Sequence, residues 1–260
     1  MVARARRHGL DPRKSLGQHF LVSPGHIDQI VAEVHGLASV VEIGPGPATL
    51  TQGLVEAVGT VVALDIDPRV GPILEEAAPR AQFYCVDVLD YDLGECVAGL
   101  PQPCGIVSNM PYNITGPLLE RVARLAGTID RAVLMMQAEV AKKVMAPAGS
   151  SVRGALSVLM QWDFEVSVVG HVPAGAFYPP PKVQSTVLRL TPRTDRPGDK
   201  ARSIVRAGFM HPRKALAGNL GWAREELVET LGAMGHPPLV RAHQLSQEDW
   251  LYLVENSPKG

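Results

Sequence analysis

The chain has 260 residues, of which 46% are hydrophobic and 20% charged, and its 25 Lys and Arg residues nearly balance 26 Asp and Glu residues. This composition is typical of a soluble globular protein with a sizeable core. Every apolar run is shorter than the ~20 residues of a membrane span, and no apolar stretch follows the basic N-terminus, which excludes a secretory signal. The three cysteines lack C-x-x-C spacing and indicate neither a disulfide framework nor a metal site. We therefore expect a cytoplasmic enzyme without a metal.

The near-neutral net charge hides a strong asymmetry along the chain. Residues 1–14 carry a net charge of +4 and residues 182–214 a net charge of +7, which leaves −12 for the rest of a chain whose total is −1. Segregation of this kind can create a local anion-binding surface. On charge alone, a solvated tail and linker is an equally good interpretation.

The predicted elements begin with a helix over residues 24–36, where apolar side chains recur at helical spacing after Ser23-Pro24. The β-branched run "SVVEI" follows, and a second helix is predicted from Thr49 to about Val58. Strands alternating with helical segments favour βαβ units and a mostly parallel sheet, which is an α/β fold. The later predicted strands are "TVVALDID", "QFYCVDV", "GIVSNMP", "AVLMMQAEV", "FEVSVVGHV" and "STVLRL".

A polar segment with two prolines, "RLTPRTDRPGDK", separates these strands from a C-terminal region with a helical pattern. We therefore predict a domain boundary near residue 195. The larger domain would cover residues 1–195 and a small helical domain residues 196–260.

Ligands of such sheets bind at the carboxyl ends of the strands, near a topological switch point. The first strand ends in "EIGPGPA", where Gly44 and Gly46 allow a tight turn and close backbone approach to a ligand. The second ends in Asp65, at the position of a ribose-binding acid, and the third in Asp87, which is suited to accept from an adenine amino group. A single acid here is more often a helix cap or solvated turn. Three such strand ends in succession predict a cofactor that contains a nucleoside.

The fourth strand end carries "NMPY", which resembles the [ND]-P-P-[YF] motif of amino-methyltransferases that use S-adenosylmethionine. An exocyclic purine amine is a poor nucleophile because its lone pair is delocalised into the ring. The side-chain oxygen of Asn109 and a backbone carbonyl at Met110 or Pro111 could accept its two hydrogens and free the lone pair. Pro111 would hold the backbone through its fixed φ, and Tyr112 would offer a flat face to an unstacked base. The alternative is an Asx-Pro turn with a tyrosine at the edge of the core.

Five separated motifs together resemble one family, the ribosomal RNA adenine dimethyltransferases of the KsgA type, with the Erm enzymes as relatives. They occur in order over about residues 8–220 as "RKSLGQHFLV", "EIGPGPATLT", "NMPYNIT", "QAEVAKK" and "AFYPPPKVQSTVLRL". The resemblance implies a Rossmann-like S-adenosylmethionine-dependent methyltransferase sheet of seven strands, followed by a small α-helical domain that binds rRNA. It also implies dimethylation of adenine amines in small-subunit (16S) rRNA, by a monomer that acts on the assembling ribosomal subunit and has no membrane partner.

The same resemblance implies roles for single residues. Phe177 would offer a second stacking face opposite Tyr112, and the prolines after it would stiffen that loop. The basic segment 182–214 and the basic N-terminal arm would hold rRNA by its phosphates. Expected cofactor contacts are His19, Leu21, Gly44, Gly46, Asp65 and Asp87, with Asn109 between cofactor and target base. Expected RNA contacts are Lys182, Arg206, Arg213 and Lys214.

Some positions depart from the pattern of this family, chiefly on the RNA side. Asparagine is usual at His19, lysine at Ala138, tyrosine at Arg153 and arginine at Pro212. Three other functions stay open at this point. They are an Erm-like 23S rRNA methyltransferase that gives macrolide resistance, a non-catalytic ribosome-assembly factor, and a nicotinamide dehydrogenase, which would leave "NMPY" without a purpose.

Overall fold

The computed structural model describes residues 2–12 and 17–258, so residues 13–16, which begin the first family-like motif, lie outside the described part. The chain divides into two compact units. The first consists of the residues up to Ala141 together with Glu165–Pro192, and the second of Lys142–Phe164 together with the residues from Arg193 onwards. No helix in the described ranges is both long and apolar enough to span a membrane.

The strands of the described chain are, in chain order, β1 (Phe20–Leu21), β2 (Ser39–Ile43), β3 (Thr60–Asp65), β4 (Gln82–Cys85), β5 (Cys104–Asn109), β6 (Arg131–Gln137), β7 (Phe164–Val172), β8 (Phe177–Tyr178) and β9 (Ser185–Pro192). They form a large sheet with the order β4–β3–β2–β5–β6–β9–β7 and a small sheet with the order β1–β8.

The large sheet is mostly parallel, as predicted. The strands from β2 to β6 pair in parallel, and β9 runs antiparallel to β6. All five residues of β2 are buried, which is typical of a parallel strand covered on both faces. The chain runs outward from β2 through β3 to β4 and then returns to β5 on the other side of β2. The strand order therefore has its switch point between β2 and β5, where open α/β sheets bind ligands.

The α-helices of the described residues, in both units and in chain order, are α1 (Val2–Arg7), α2 (Pro24–Ala32), α3 (Thr51–Ala57), α4 (Val70–Ala77), α5 (Leu93–Ala98), α6 (Thr115–Arg124), α7 (Ala138–Val144), α8 (Ala155–Asp163), α9 (Asp199–Gly208), α10 (Ala217–Leu220), α11 (Arg224–Ala233) and α12 (Gln247–Glu255).

Helices of the first unit pack their apolar faces onto the large sheet. Ile30 of α2, Leu54 of α3 and Ile73 of α4 are fully buried in one core cluster.

The second unit has a core of its own, and α8 is part of it. Val158 and Trp162 of α8 lie in one cluster with Val205 of α9 and Trp250 of α12. The sequence prediction instead placed α8 in the domain that ends at residue 195. An amphipathic pattern predicts that a helix buries one face, but it does not tell which of two cores will cover that face.

Candidate active site

A cavity of about 190 Å³ lies at the carboxyl ends of the strands on both sides of the switch point. Its wall contains eight of the ten residues predicted to bind the cofactor or to act in catalysis. Leu21 and Phe177 are not part of its described lining. The eight residues that the fold brings together are His19, Gly44, Gly46, Asp65, Asp87, Asn109, Pro111 and Tyr112.

The loop after β2 turns on two glycines with positive φ, 73° at Gly44 and 51° at Gly46. The N–H of Gly46 donates to Oδ2 of Asp65 at 3.4 Å, and the N–H of Asp67 donates to Oδ1 at 2.9 Å. Burial raises the pKa of Asp65, and these two donors oppose that effect. A Cβ on Gly46 would lie 3.1 Å from the Phe20 ring, so the loop needs glycine at this position. Each carboxylate oxygen keeps acceptor capacity for a ribose hydroxyl.

The loop after β4 holds the second predicted acid. Oδ1 of Asp87 accepts from the N–H of Leu89 at 2.8 Å. The guanidinium of Arg121, on α6, donates to the carbonyls of Leu89 and Tyr91. Arg121 therefore supports the loop that presents Asp87, although no sequence motif contains it.

The amide of Asn109 has a defined orientation at the end of β5. Its Nδ2 donates to the backbone carbonyl of His19 at 2.9 Å. The donor side of the amide therefore faces the N-terminal segment, Oδ1 keeps its acceptor capacity, and Asn109 is one of the residues that line the cavity. This is the group that the predicted chemistry requires to bind a hydrogen of an amine.

The backbone after Asn109 indicates which carbonyl can act as the second acceptor. The carbonyl of Pro111 already accepts from the N–H of Ile114 at 3.2 Å and from Oγ1 of Thr115 at 3.1 Å. The N–H of Met110 donates to the carbonyl of Met135 at 3.0 Å, which ties this residue to β6. Of the two carbonyls that the sequence left open, Met110 is the better candidate.

Two neighbouring segments flank the Tyr112 ring. The His19 ring lies 5.2 Å from it at an interplanar angle of 34°, and Nδ1 of His19 lies 2.7 Å from the carbonyl of Pro179. Because a carbonyl only accepts, Nδ1 carries the proton of this bond. Gly17 packs so closely that an added Cβ would lie 3.0 Å from the backbone nitrogen of Tyr112. The phenol oxygen of Tyr112 lies 2.7 Å from Oγ of Ser185.

The two predicted residues outside the cavity lining pair with each other. Leu21 of β1 is opposite Phe177 of β8, and both side chains are buried in the core. Leu21 also borders a smaller cavity, of about 20 Å³, together with Glu42 and Asn109. Phe177 is 4% exposed, so its predicted role as a stacking face would require the ring to leave the core. The predicted contact of Leu21 with the cofactor likewise stays a prediction.

The four residues predicted to contact RNA are all exposed. They are Lys182, Arg206, Arg213 and Lys214. The described part of the basic N-terminal arm, by contrast, forms α1 and contacts the protein itself, while Arg13 and Lys14 lie outside the described residues. Arg4 and Arg7 make ion pairs with Glu76, and Nε2 of His8 lies 2.9 Å from Oε2 of the same carboxylate.

Comparison with known proteins assigns the chain to a family. The sequence profile of the family described as "Ribosomal RNA adenine dimethylase" matches residues 9–256. The chain belongs to this family. The predicted family, fold class and enzyme activity are therefore confirmed.

Relatives cover nearly the whole of this family member. The "Ribosomal RNA small subunit methyltransferase A" of Gluconobacter oxydans is 38% identical, over 95% of this chain and 84% of the relative. The protein of the same name from Rubrobacter xylanophilus is also 38% identical, over 93% of this chain and 94% of the relative.

Solved structures agree with this assignment. A dimethyladenosine transferase from Plasmodium falciparum superposes with a TM-score of 0.75 at 25% identity, covering 90% of this chain and 96% of that one. The 23S rRNA methyltransferase ErmE superposes with a TM-score of 0.70 at 26% identity, covering 91% of this chain and 98% of that one.

Proposed function

We propose that this family member transfers methyl groups from S-adenosylmethionine to the exocyclic amines of adenines in small-subunit rRNA, in the cytoplasm, during ribosome assembly. The relatives named above support the small subunit as the substrate. The observation that carries the proposal is the orientation of the Asn109 amide: its Nδ2 is bound to the His19 carbonyl, so Oδ1 of this cavity-lining residue keeps its acceptor capacity. A protein that only binds RNA needs no acceptor that could activate an amine.

The residues around the cavity fit S-adenosylmethionine. Asp65 would bind the ribose hydroxyls, because both of its oxygens are oriented by backbone N–H groups and the residue lines the cavity. Asp87 would bind the adenine amino group, and Gly44 leaves room for the backbone to approach the methionine part. When bound, the cofactor supplies a methyl group activated by a positively charged sulfur.

The remaining residues would prepare the target amine. Asn109 Oδ1 and the Met110 carbonyl would accept its two hydrogens, which favours a pyramidal nitrogen with a free lone pair. Tyr112 would stack on the base and hold its plane. Since the amine becomes acidic once it is methylated, no strong base is needed, and the proton can leave to water.

The RNA would be held chiefly through its phosphates. Lys182, Arg206, Arg213 and Lys214 are exposed basic residues of the positively charged segment 182–214 and would provide such contacts. We expect the protein to act as a monomer on an assembling subunit, where a splayed-out adenine and the shape of the RNA would determine the target.

The test is the transfer of labelled methyl groups from S-adenosylmethionine to purified, unmethylated small and large ribosomal subunits, with the modified nucleotide mapped. Asn109→Ala should lower kcat by about 10²–10³-fold, as loss of a preorganised polar contact does. Asn256→Ala is a matched control, because the Asn256 amide also donates to a backbone carbonyl at 2.9 Å but lies in the second unit. The control should retain wild-type activity.

The possible outcomes separate the candidate functions. Dimethyladenine in the small subunit supports the proposal, whereas label in the large subunit would favour an enzyme like ErmE, to which the fold is also similar. Absence of cofactor binding would favour an assembly factor without activity. An Asn109→Ala protein with the wild-type rate would overturn the proposed mechanism.

A further inference from the structure

Ser185 belongs to the motif "AFYPPPKVQSTVLRL", but its contact with the candidate active site was not predicted from the sequence. It is the first residue of β9, it is fully buried, and it is paired in register with Gln137 of β6. Its Oγ lies 2.7 Å from the phenol oxygen of Tyr112, 73 positions earlier in the chain. The Ser185 hydroxyl, on a strand of the large sheet, therefore contacts the phenol group of Tyr112, the ring that is predicted to stack on the target base.

This contact fixes the Tyr112 ring at its far end. At its near end, the ring is attached to the backbone that follows β5, where Pro111 restricts φ. Two anchored ends leave the ring little freedom to rotate or tilt. Burial raises the pKa of Tyr112, so the phenol keeps a proton that it can donate in this hydrogen bond.

The ring is at the same time open to the cavity. Tyr112 is half-buried and lines the cavity wall, and the His19 ring next to it lies at 5.2 Å, tilted by 34°. Ser185 is not among the described residues that line the cavity. Its described contact with the site is the one to the phenol of Tyr112, so it would act through the position of the ring.

We propose that Ser185 is a positioning residue, which holds the plane of Tyr112 so that the stacked adenine presents its amine to Asn109 and the cofactor. The inference rests on the proposed function. It predicts an effect on the use of the RNA substrate and none on cofactor binding, since Asp65 and Asp87 are held by contacts of their own.

The experiment compares Ser185→Ala, Tyr112→Phe and the double variant. Each single change removes the bond but keeps the stacking ring. Methyl transfer to unmethylated small subunits should fall roughly tenfold in kcat/KM for each single variant, the effect of losing one hydrogen bond of ordinary strength. S-adenosylmethionine should bind to all variants with the wild-type Kd, measured by calorimetry.

The double variant separates positioning from simple stability. Ser185→Ala leaves the phenol without its partner, which lowers Tm, whereas the double variant has no orphaned group and should recover most of that Tm. Its kcat/KM should nevertheless remain about as low as that of either single variant, because the ring is still untethered.

Two results would overturn the inference. One is wild-type kcat/KM in Ser185→Ala, and the other is recovery of kcat/KM together with Tm in the double variant. Failure of the proposed function would look different, since the wild-type protein itself would then not methylate the small subunit.

Discussion

Glu42 and Asp65 stand near the carboxyl ends of neighbouring strands, and burial raises the pKa of both side chains. Glu42 is 1% exposed, and its Oε2 has no hydrogen-bond partner among the described residues. Its pKa is raised to about 8, chiefly by burial, and the nearby Thr51 hydroxyl offsets only part of that effect. Glu42 is therefore neutral at the base of the glycine loop over most of the physiological pH range.

The stability of the protein should depend on pH through Glu42. The unfolded chain releases the proton of this carboxyl near pH 4.5, but the folded protein retains it up to about pH 8. The contribution of protonated Glu42 to the free energy of unfolding is therefore complete below about pH 4.5, and it is lost as the pH rises to about 8. Glu42→Gln imitates the protonated side chain and should lack this loss.

The measurement is Tm between pH 5 and 9 for the wild type, for Glu42→Gln and for Glu56→Gln as the control. Glu56 is exposed and makes a surface ion pair with Arg80. The Tm of Glu42→Gln should rise relative to the wild type as the pH increases, while that of Glu56→Gln should follow the wild type. A constant difference between Glu42→Gln and the wild type would contradict the raised pKa.

At the scale of elements, the N-terminal segment is part of the site. α1 is docked through its basic side chains on Glu76, and nearby Arg69 donates to the carbonyl of Gly9 and to the buried carboxylate of Asp67. Asp67 in turn donates its N–H to Asp65. The N-terminal segment is thus linked through Arg69 and Asp67 to Asp65, the acid predicted to bind the ribose. The charge pattern of the sequence shows this segment only as a basic arm.

Alanine substitutions at two glycines of this segment can test its contribution to catalysis. Gly9 and Gly17 have similar positive φ values, 67° and 62°, so alanine adds similar backbone strain at either position. Only at Gly17 would the new Cβ meet another backbone, at 3.0 Å from the nitrogen of Tyr112, whereas nothing lies within 4 Å at Gly9. Gly17→Ala should lower kcat roughly tenfold to a hundredfold, since small displacements at a reacting site are costly.

Gly9→Ala is the control: it should lower Tm through backbone strain alone, while kcat stays within about twofold of the wild type. Methyl-transfer kinetics and thermal unfolding of both variants provide the comparison. Equal losses of kcat in the two variants would indicate that strain alone, and not contact with the stacking loop, explains the effect.

At the scale of the whole molecule, the near-neutral net charge conceals the positive segment 182–214. Some of the positively charged side chains of this segment form ion pairs within the protein. Arg202 makes a bidentate ion pair with the buried Asp163, and Arg189 pairs with Glu33. Arg213 and Lys214 are exposed, so they are the better candidates for contact with phosphates.

Binding of the small subunit should therefore weaken steeply with salt, and this dependence should be smaller in Arg213→Ala/Lys214→Ala. Each lost phosphate contact lowers the slope of log K against log salt by about one, so the double variant should lose about two. Arg80→Ala is the control, because Arg80 is exposed but lies outside the positive segment. If the slope for the double variant equals that of the wild type, Arg213 and Lys214 do not contact the phosphates of the RNA.

The sequence by itself determined the sheet and most of the cavity. β-branched runs ended by glycine, acid, acid and asparagine predict parallel strands, and the carboxyl ends of such strands meet at one edge of the sheet. Gly44, Asp65, Asp87 and Asn109 could therefore be placed together without coordinates, and in the structure all four line one cavity. The five motifs also identified the family, which the match over residues 9–256 confirms.

Only the tertiary structure decided the contacts between distant segments. The bond from Ser185 to Tyr112, the burial of Phe177 against β1 and the packing of α8 in the second core are examples. A periodic pattern shows that a side chain will be buried, but the partner depends on which surfaces the folded chain brings together. Hydrogen bonds and pKa shifts follow from that partner and from the water it excludes, so they are properties of the folded protein.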